Sequence, residues 1–297
     1  MGAKLRVVRR RIRSVQSTAK ITRAMELIAA SRIVKAQQRV FEARPYADLL
    51  TAAMEDVARQ TGSLVHPLLE ERENPARAGV LIMSSDRGLA GSYNANILKR
   101  TEDLLRRTRA RGVEPVLYLI GKKAIGYFRF RGVVPEGSWS GFSEVPRYDA
   151  AQEIGARMIE DFGSGRIDEL HTVYTDFRSA FTFRATDKRF VPIAPEEVVA
   201  EPQGQPSAEY LFEPEPAEIL DDLLPQYVVT KVYFALLESA ASENAARQRA
   251  MAAATDNADE LIKVLTRQAN RARQDEITTE IMEIVGGAEA LAQASGE

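Results

Sequence analysis

The sequence predicts an α/β domain inserted between two long helices that pair antiparallel, and three observations predict it. From Gln226 to Val285 the chain runs for about sixty residues without glycine or proline, far beyond an ordinary globular helix. At 1.5 Å per residue that is a rod of roughly 90 Å. A second breaker-free stretch, Ala3 to Arg44, lies at the opposite end of the chain. Between the two, short apolar runs alternate with helical segments, which is the pattern of a layered α/β domain.

The first helix is assigned to residues 1–62. Leu5, Val8, Ile12, Val15, Ala19, Thr22, Met25 or Glu26, Ala29 and Ile33 recur at spacings of three and four, which places them on one helical face. Residues 75–193 form the α/β domain. Ala78 to Ser84, Val113 to Ile120, Leu170 to Tyr174 and Phe181 to Val191 read as strands. Segments near Asn94 to Arg111, Lys122 to Arg131 and Tyr148 to Asp161 read as the helices between them, around a parallel core. Residues 194–225, with six prolines among glutamates, read as an extended connector. The last helix is assigned to 226–297, with its stripe at Val228, Val232, Ala235, Leu236, Ser239, Ser242, Ala246, Ile262, Leu265, Ala269, Ala272, Ile281 and Ile284. Both stripes are rich in small residues. Small side chains let two helix backbones approach closely, and neither helix is stable alone at this length.

Composition narrows the function. A chain of 297 residues with 45% hydrophobic content buries a real core. It has no cysteine, so disulfides, thiolate metal sites and thiol nucleophiles are excluded. No stretch approaches eighteen consecutive apolar residues, and the N-terminus has no signal-peptide pattern, so any membrane role is expected to come through a partner. The net charge of -2 hides a strong polarity. Residues 1–50 carry twelve Lys/Arg against Glu26, Glu42 and Asp48, whereas 190–230 carry nine Asp/Glu and no Lys or Arg. Such asymmetry points to protein partners.

Motifs for chemistry are mostly missing. Ser85-Asp86-Arg87-Gly88-Leu89-Ala90-Gly91 follows the first strand, but its spacing is neither the dinucleotide fingerprint nor the P-loop. Gly121-Lys122-Lys123 has its lysines on the wrong side for a phosphate cradle. Both read as turns in which glycine permits positive φ. His66 and His171 are the two histidines, and neither has a neighbouring ligand pattern. Gly137-Ser138-Trp139-Ser140-Gly141 has tryptophan where a nucleophile elbow needs serine. Arg9, Arg10, Arg11 and Arg13 could neutralise phosphates, but their helix keeps its apolar stripe, and the acidic segment elsewhere would repel a polyanion. No cofactor, metal or nucleic acid is therefore expected.

Four strings resemble the gamma subunits of F-type ATP synthases, in family order over essentially the whole chain. They are Ser17 to Arg32 (STAKITRAMELIAASR), Ser84 to Gly91 (SSDRGLAG), Tyr210 to Pro214 (YLFEP), and Ala252 to Ala258 (AAATDNA) with Asn270 to Thr278 (NRARQDEIT). The resemblance implies a non-catalytic rotor shaft. One copy would sit within a ring of three alpha and three beta subunits, joined by its foot to the epsilon subunit and the membrane c-ring, at the cytoplasmic face of the cell membrane. Proton flow would turn it, driving ATP synthesis at catalytic sites on beta, and it would also regulate ATPase activity. By resemblance, Arg273 and Gln274 match positions that hydrogen-bond a catch loop of beta, and Met25 lies in the segment facing the acidic lever of beta. Ala90 stands where relatives often carry cysteine, so thiol switching is excluded. A static coiled-coil scaffold is the alternative reading, followed by a nucleotide-binding enzyme built on the α/β domain. A scaffold would self-associate through its termini, and an enzyme would turn over alone.

Overall fold

A computed structural model describes residues 3–61, 66–179, 182–194 and 216–294. Helix α1, Ala3–Thr61, opens the chain and helix α5, Pro216–Ala294, closes the described part. Between them run β1 (Arg77–Met83), α2 (Tyr93–Ala110), β2 (Glu114–Ile120), α3 (Lys122–Phe130), β3 (Gly137–Trp139), α4 (Tyr148–Gly163), β4 (Glu169–Phe177) and β5 (Phe183–Val191). The chain divides into two compact units, residues 29–247 and residues 1–28 with 248–297.

The unit 29–247 is a doubly wound α/β layer structure. Its sheet has the order β3-β2-β1-β4-β5. β1 to β4 are parallel, and β5 returns antiparallel to β4. Side chains alternate along a strand, so β1 feeds two cores. Val80 and Ile82 pack with Ile97, Leu104 and Leu105 of α2 and with Ala124 and Phe128 of α3. Leu81 and Met83 face the other way, toward Ile154, Met158 and Phe162 of α4, Met54 and Val57 of α1, and Leu224, Val228, Val232 and Leu236 of α5. The expected 75–193 domain therefore completes its core with side chains from both long helices.

One expected boundary differs in the structure, and two local features add to the expectations. The sequence predicts an acidic connector over 194–225 and a last helix from 226, but α5 already begins at Pro216. A proline is tolerated in a first helical turn, whose N–H groups have no intrahelical acceptor. Pro225 sits inside the helix and cannot bond the Asp221 carbonyl, yet Leu220, Leu224 and Val228 are buried on one face. Burial of each is worth about 1.5–3 kcal/mol, enough to carry the helix across the proline. Residues 195–215 of the connector, with Tyr210 to Pro214, lie outside the described residues. Pro45 is likewise inside α1. Lastly, the Gly137 segment is more than a failed elbow: it forms β3, the edge strand, paired with β2 from Tyr118↔Gly137 to Ile120↔Trp139.

In the other unit the start of α1 and the end of α5 form an antiparallel helix pair. Thr22 Oγ1 and Thr255 Oγ1 share a buried hydrogen bond of 2.7 Å. One groove of the pair is lined by Gln16, Ala19 and Arg23 of α1 and by Thr255, Asp259 and Ile262 of α5. Leu5, Ala19 and Thr22 are buried, as are Met251, Thr255, Ala258, Leu265 and Ala269, which follows the small-residue stripes. The stripe fails at its far end, where Ile281 and Ile284 are 55% and 71% exposed. With Thr22 opposite Thr255 in an antiparallel pair, α1 runs out near residue 274 of α5. Among the described residues, the last turns of α5 therefore face no helix.

Candidate functional site

In an open α/β sheet, ligands bind outside the carboxyl ends of the strands where the strand order reverses. Here that point lies between β1 and β4, and it is built in an unusual way. After β1 the chain turns through Gly88, Leu89 and Gly91, all with positive φ. Gly121, after β2, has φ 90° and approaches so closely that a Cβ there would lie 2.2 Å from the Ser84 carbonyl oxygen. The Ser84 hydroxyl donates to Ile120 O at 2.9 Å and accepts the Ala124 N–H at 2.9 Å. Gly121 thus serves a close approach of backbone to backbone, and Gly88 one to the Lys123 side chain.

The crevice itself is filled by α5. Ser239 Oγ accepts the Thr175 N–H at 3.3 Å, and Ser242 Oγ donates to Thr175 O at 3.4 Å. Asn244 is fully buried and donates to Ala240 O. Burial pushes the Tyr93 phenol far up, helped by the Glu243 charge. A polar stretch in mid-helix thus takes the place a nucleotide would need.

A charge cluster continues from this stretch. Arg247, 5% exposed, and Glu243, 1% exposed, pair at 2.5 Å one helical turn apart. Arg247 also donates to Gly88 O at 3.1 Å and to Asn244 Oδ1 at 3.3 Å, and lies 3.4 Å from Glu144 Oε1. The second carboxylate oxygen of Glu144 meets Arg32 of α1 and, at 3.6 Å, Arg87. The neighbouring Ser143 and Gly141 N–H groups bond Asp86 Oδ2 at 3.1 and 2.8 Å, and Ser143 Oγ accepts the Asp86 N–H. Burial pushes the Glu243 carboxyl upward, opposed by Arg247. Five residues before Glu243 on α5, the Glu238 carboxyl is pushed up to about 7, by burial first and then by Asp176, against Lys188 and the Phe177 N–H.

The residues singled out from sequence lie elsewhere. Met25 is half-buried on α1, three residues from Thr22. Arg273 and Gln274 are exposed on α5, eighteen residues beyond Thr255 and so about 27 Å farther along the helix. The structure does not bring Met25 and the Arg273–Gln274 pair together; they are separate points on one helix pair. Ile277, Ile281, Met282, Ile284 and Val285 beyond them are exposed, an apolar series of the kind that marks a protein contact. His66 accepts the Leu68 N–H, and His171 lies 3.2 Å from Glu169. Among the described residues no group of His, Cys, Asp and Glu has the arrangement of a metal site, and no helix is long and apolar enough to cross a membrane. Sequence reasoning missed the Glu144–Arg247 cluster. Its only signal was the polar run Ser242-Glu243-Asn244 with Arg247 inside an otherwise alanine-rich helix.

The sequence model of a family described as ATP synthase matches residues 4–291. An ATP synthase gamma chain from Acidothermus cellulolyticus is 54% identical over 301 residues, covering 100% of both chains. Another from Thermobifida fusca is 53% identical and covers 99% of both. Among solved structures, a chain of the Euglena gracilis mitochondrial ATP synthase OSCP/F1/c-ring assembly aligns with a TM-score of 0.63 at 15% identity, covering 98% of this chain and 95% of that one. A chain of the Tetrahymena thermophila mitochondrial central stalk and c-ring aligns with a TM-score of 0.57 at 23% identity, covering 79% and 99%. These two support the fold.

Proposed function

Since this chain belongs to the ATP synthase gamma chain family, we propose that it works as the central rotor subunit, coupling proton flow through a membrane ring to the conformational cycle of catalytic sites on other subunits. The observation that carries this reading is the match over 100% of both chains, which takes in both long helices and everything between them. The filled crevice supports it from the other side: the α/β unit is used to hold α5, so the chain serves an enzyme complex as a structural moving part.

The finer assignments follow from the same reading. One copy stands with three alpha and three beta subunits, with the catalytic residues on beta. The epsilon subunit and the c-ring join it at the cytoplasmic face of the cell membrane, and it also regulates ATPase activity. Arg273 and Gln274 hydrogen-bond a loop of beta, and Met25 faces its acidic lever. A single asymmetric helix pair inside a pseudo-threefold ring contacts each catalytic subunit differently. Its angle therefore sets their relative nucleotide affinities, and turning it shifts those equilibria.

The test is the subunit stoichiometry of the complex that co-purifies with a tagged copy of this chain from native membranes in mild detergent. One copy with three alpha and three beta subunits is expected. Self-oligomers without those partners would replace the rotor with the scaffold.

A further inference from the structure

The α5 segment that lies over the sheet is a poor grip by shape alone. Ala240, Ala241, Ala245 and Ala246 are all buried on it, and methyl-sized side chains interlock weakly against rotation or sliding. The Ser-Glu-Asn-Arg polar stretch sits among those alanines. A buried ion pair is not favoured for stability, because removing two charges from water offsets most of their attraction. Its better-attested use is to specify register.

The geometry here suits that use. Glu144 is one carboxylate reached by three arginines from three separate elements: Arg32 on α1, Arg87 in the β1–α2 loop and Arg247 on α5. Arg247 in turn spans Glu144, Glu243 and the Gly88 carbonyl. The loop carrying Glu144 is fixed to the α/β layer by the two backbone N–H bonds to Asp86. Turning α5 about its axis, or shifting it by one residue, would break the Arg247 bonds to Glu144 and to Gly88 O together and leave the Glu144 carboxylate held by Arg32 and Arg87 alone. A planar guanidinium makes such a lock geometrically exacting, which a lysine ammonium would not.

We infer that Glu144 and Arg247 are positioning residues that pin α1 and α5 against turning within the α/β unit, so that torque passing between the helices and that unit is carried through this cluster. The inference rests on the rotor reading. It predicts a loss of coupling separate from any loss of folding.

The experiment uses the whole membrane complex in inverted vesicles, with ATP hydrolysis and ATP-driven proton pumping measured on the same preparation. Two variants are compared with the unaltered chain. Glu144→Gln keeps the shape and removes the shared charge. Glu243→Leu with Arg247→Met replaces the buried pair by apolar side chains, a change that in other proteins is often neutral or stabilising. The expected result for both is an assembled complex whose pumping per ATP hydrolysed falls several-fold. The inference is overturned if pumping and hydrolysis stay in the original ratio, whether both remain intact or both fall together with the amount of assembled complex. Absence of ATP-driven pumping in the unaltered complex would instead overturn the rotor reading itself, so the two failures are distinguishable.

Discussion

Glu238 illustrates what burial does to a residue that the sequence presents as an ordinary helix glutamate. Its carboxyl titrates near 7, above the usual 4.5, through burial and the nearby Asp176, with Lys188 in opposition. Between those two values the folded chain binds more protons than the unfolded one, so stability falls as pH rises from about 4.5 to about 7 and then levels. Glu238→Gln should flatten that slope in melting temperatures recorded across the window; an unchanged slope would locate the effect elsewhere. The Thr22–Thr255 hydroxyl pair makes a second residue-level prediction. Thr255→Val loses this bond and the one to Met251 O, leaving Thr22 buried with fewer partners. A destabilisation of about 1–3 kcal/mol is expected in denaturant unfolding. At this scale sequence was partly legible. The seam positions Ala19, Thr22, Leu265 and Ala269 follow from spacing, whereas the pairing of Arg247 with Glu144 depends on residues more than a hundred positions apart.

Elements were legible wherever periodicity was strong. β1, α2, α3 and α4 fall close to their expected bounds because apolar runs and helical stripes are long enough to stand out. β3 escaped because three residues carry no period, and its strand character comes from pairing with β2 alone. The start of α5 escaped because two prolines argue locally against a helix while burial of Leu220, Leu224 and Val228 argues globally for one. Packing between elements is also decided by single positions. On α4, a Cβ at Gly155 would lie 2.7 Å from Val229 Cγ2 and 3.1 Å from Val229 Cα of α5. Gly155→Ala should therefore push the two helices apart and lower stability by about 1–3 kcal/mol, measurable by thermal unfolding. Gly163→Ala, with nothing within 4 Å, is the control expected to be far milder.

For the whole molecule, the end of α5 separates folding from partnership. Beyond residue 274 it runs past the described start of α1, and Ile277, Ile281, Met282, Ile284 and Val285 are exposed. Deleting residues 275–297 should leave the melting temperature of the isolated chain close to its original value, while assembled-complex ATP synthesis falls. A large loss of chain stability would show instead that those turns are folded against the chain itself. Arg273→Ala should likewise reduce proton-driven ATP synthesis without affecting the fold, through loss of charge-assisted bonds worth about 1.5–3 kcal/mol each at most; unchanged synthesis would remove Arg273 from the proposed beta contact. The two long helices, the inserted α/β layer and the family are legible from the chain alone, because periodicity, breakers and motif strings are local and survive without a structure. That α5 fills the crevice between β1 and β4, and that Glu144 gathers arginines from three elements, follows from the packed fold. Those facts arise from side chains far apart in the chain, whose meeting is set by strand order and helix packing and leaves no local trace.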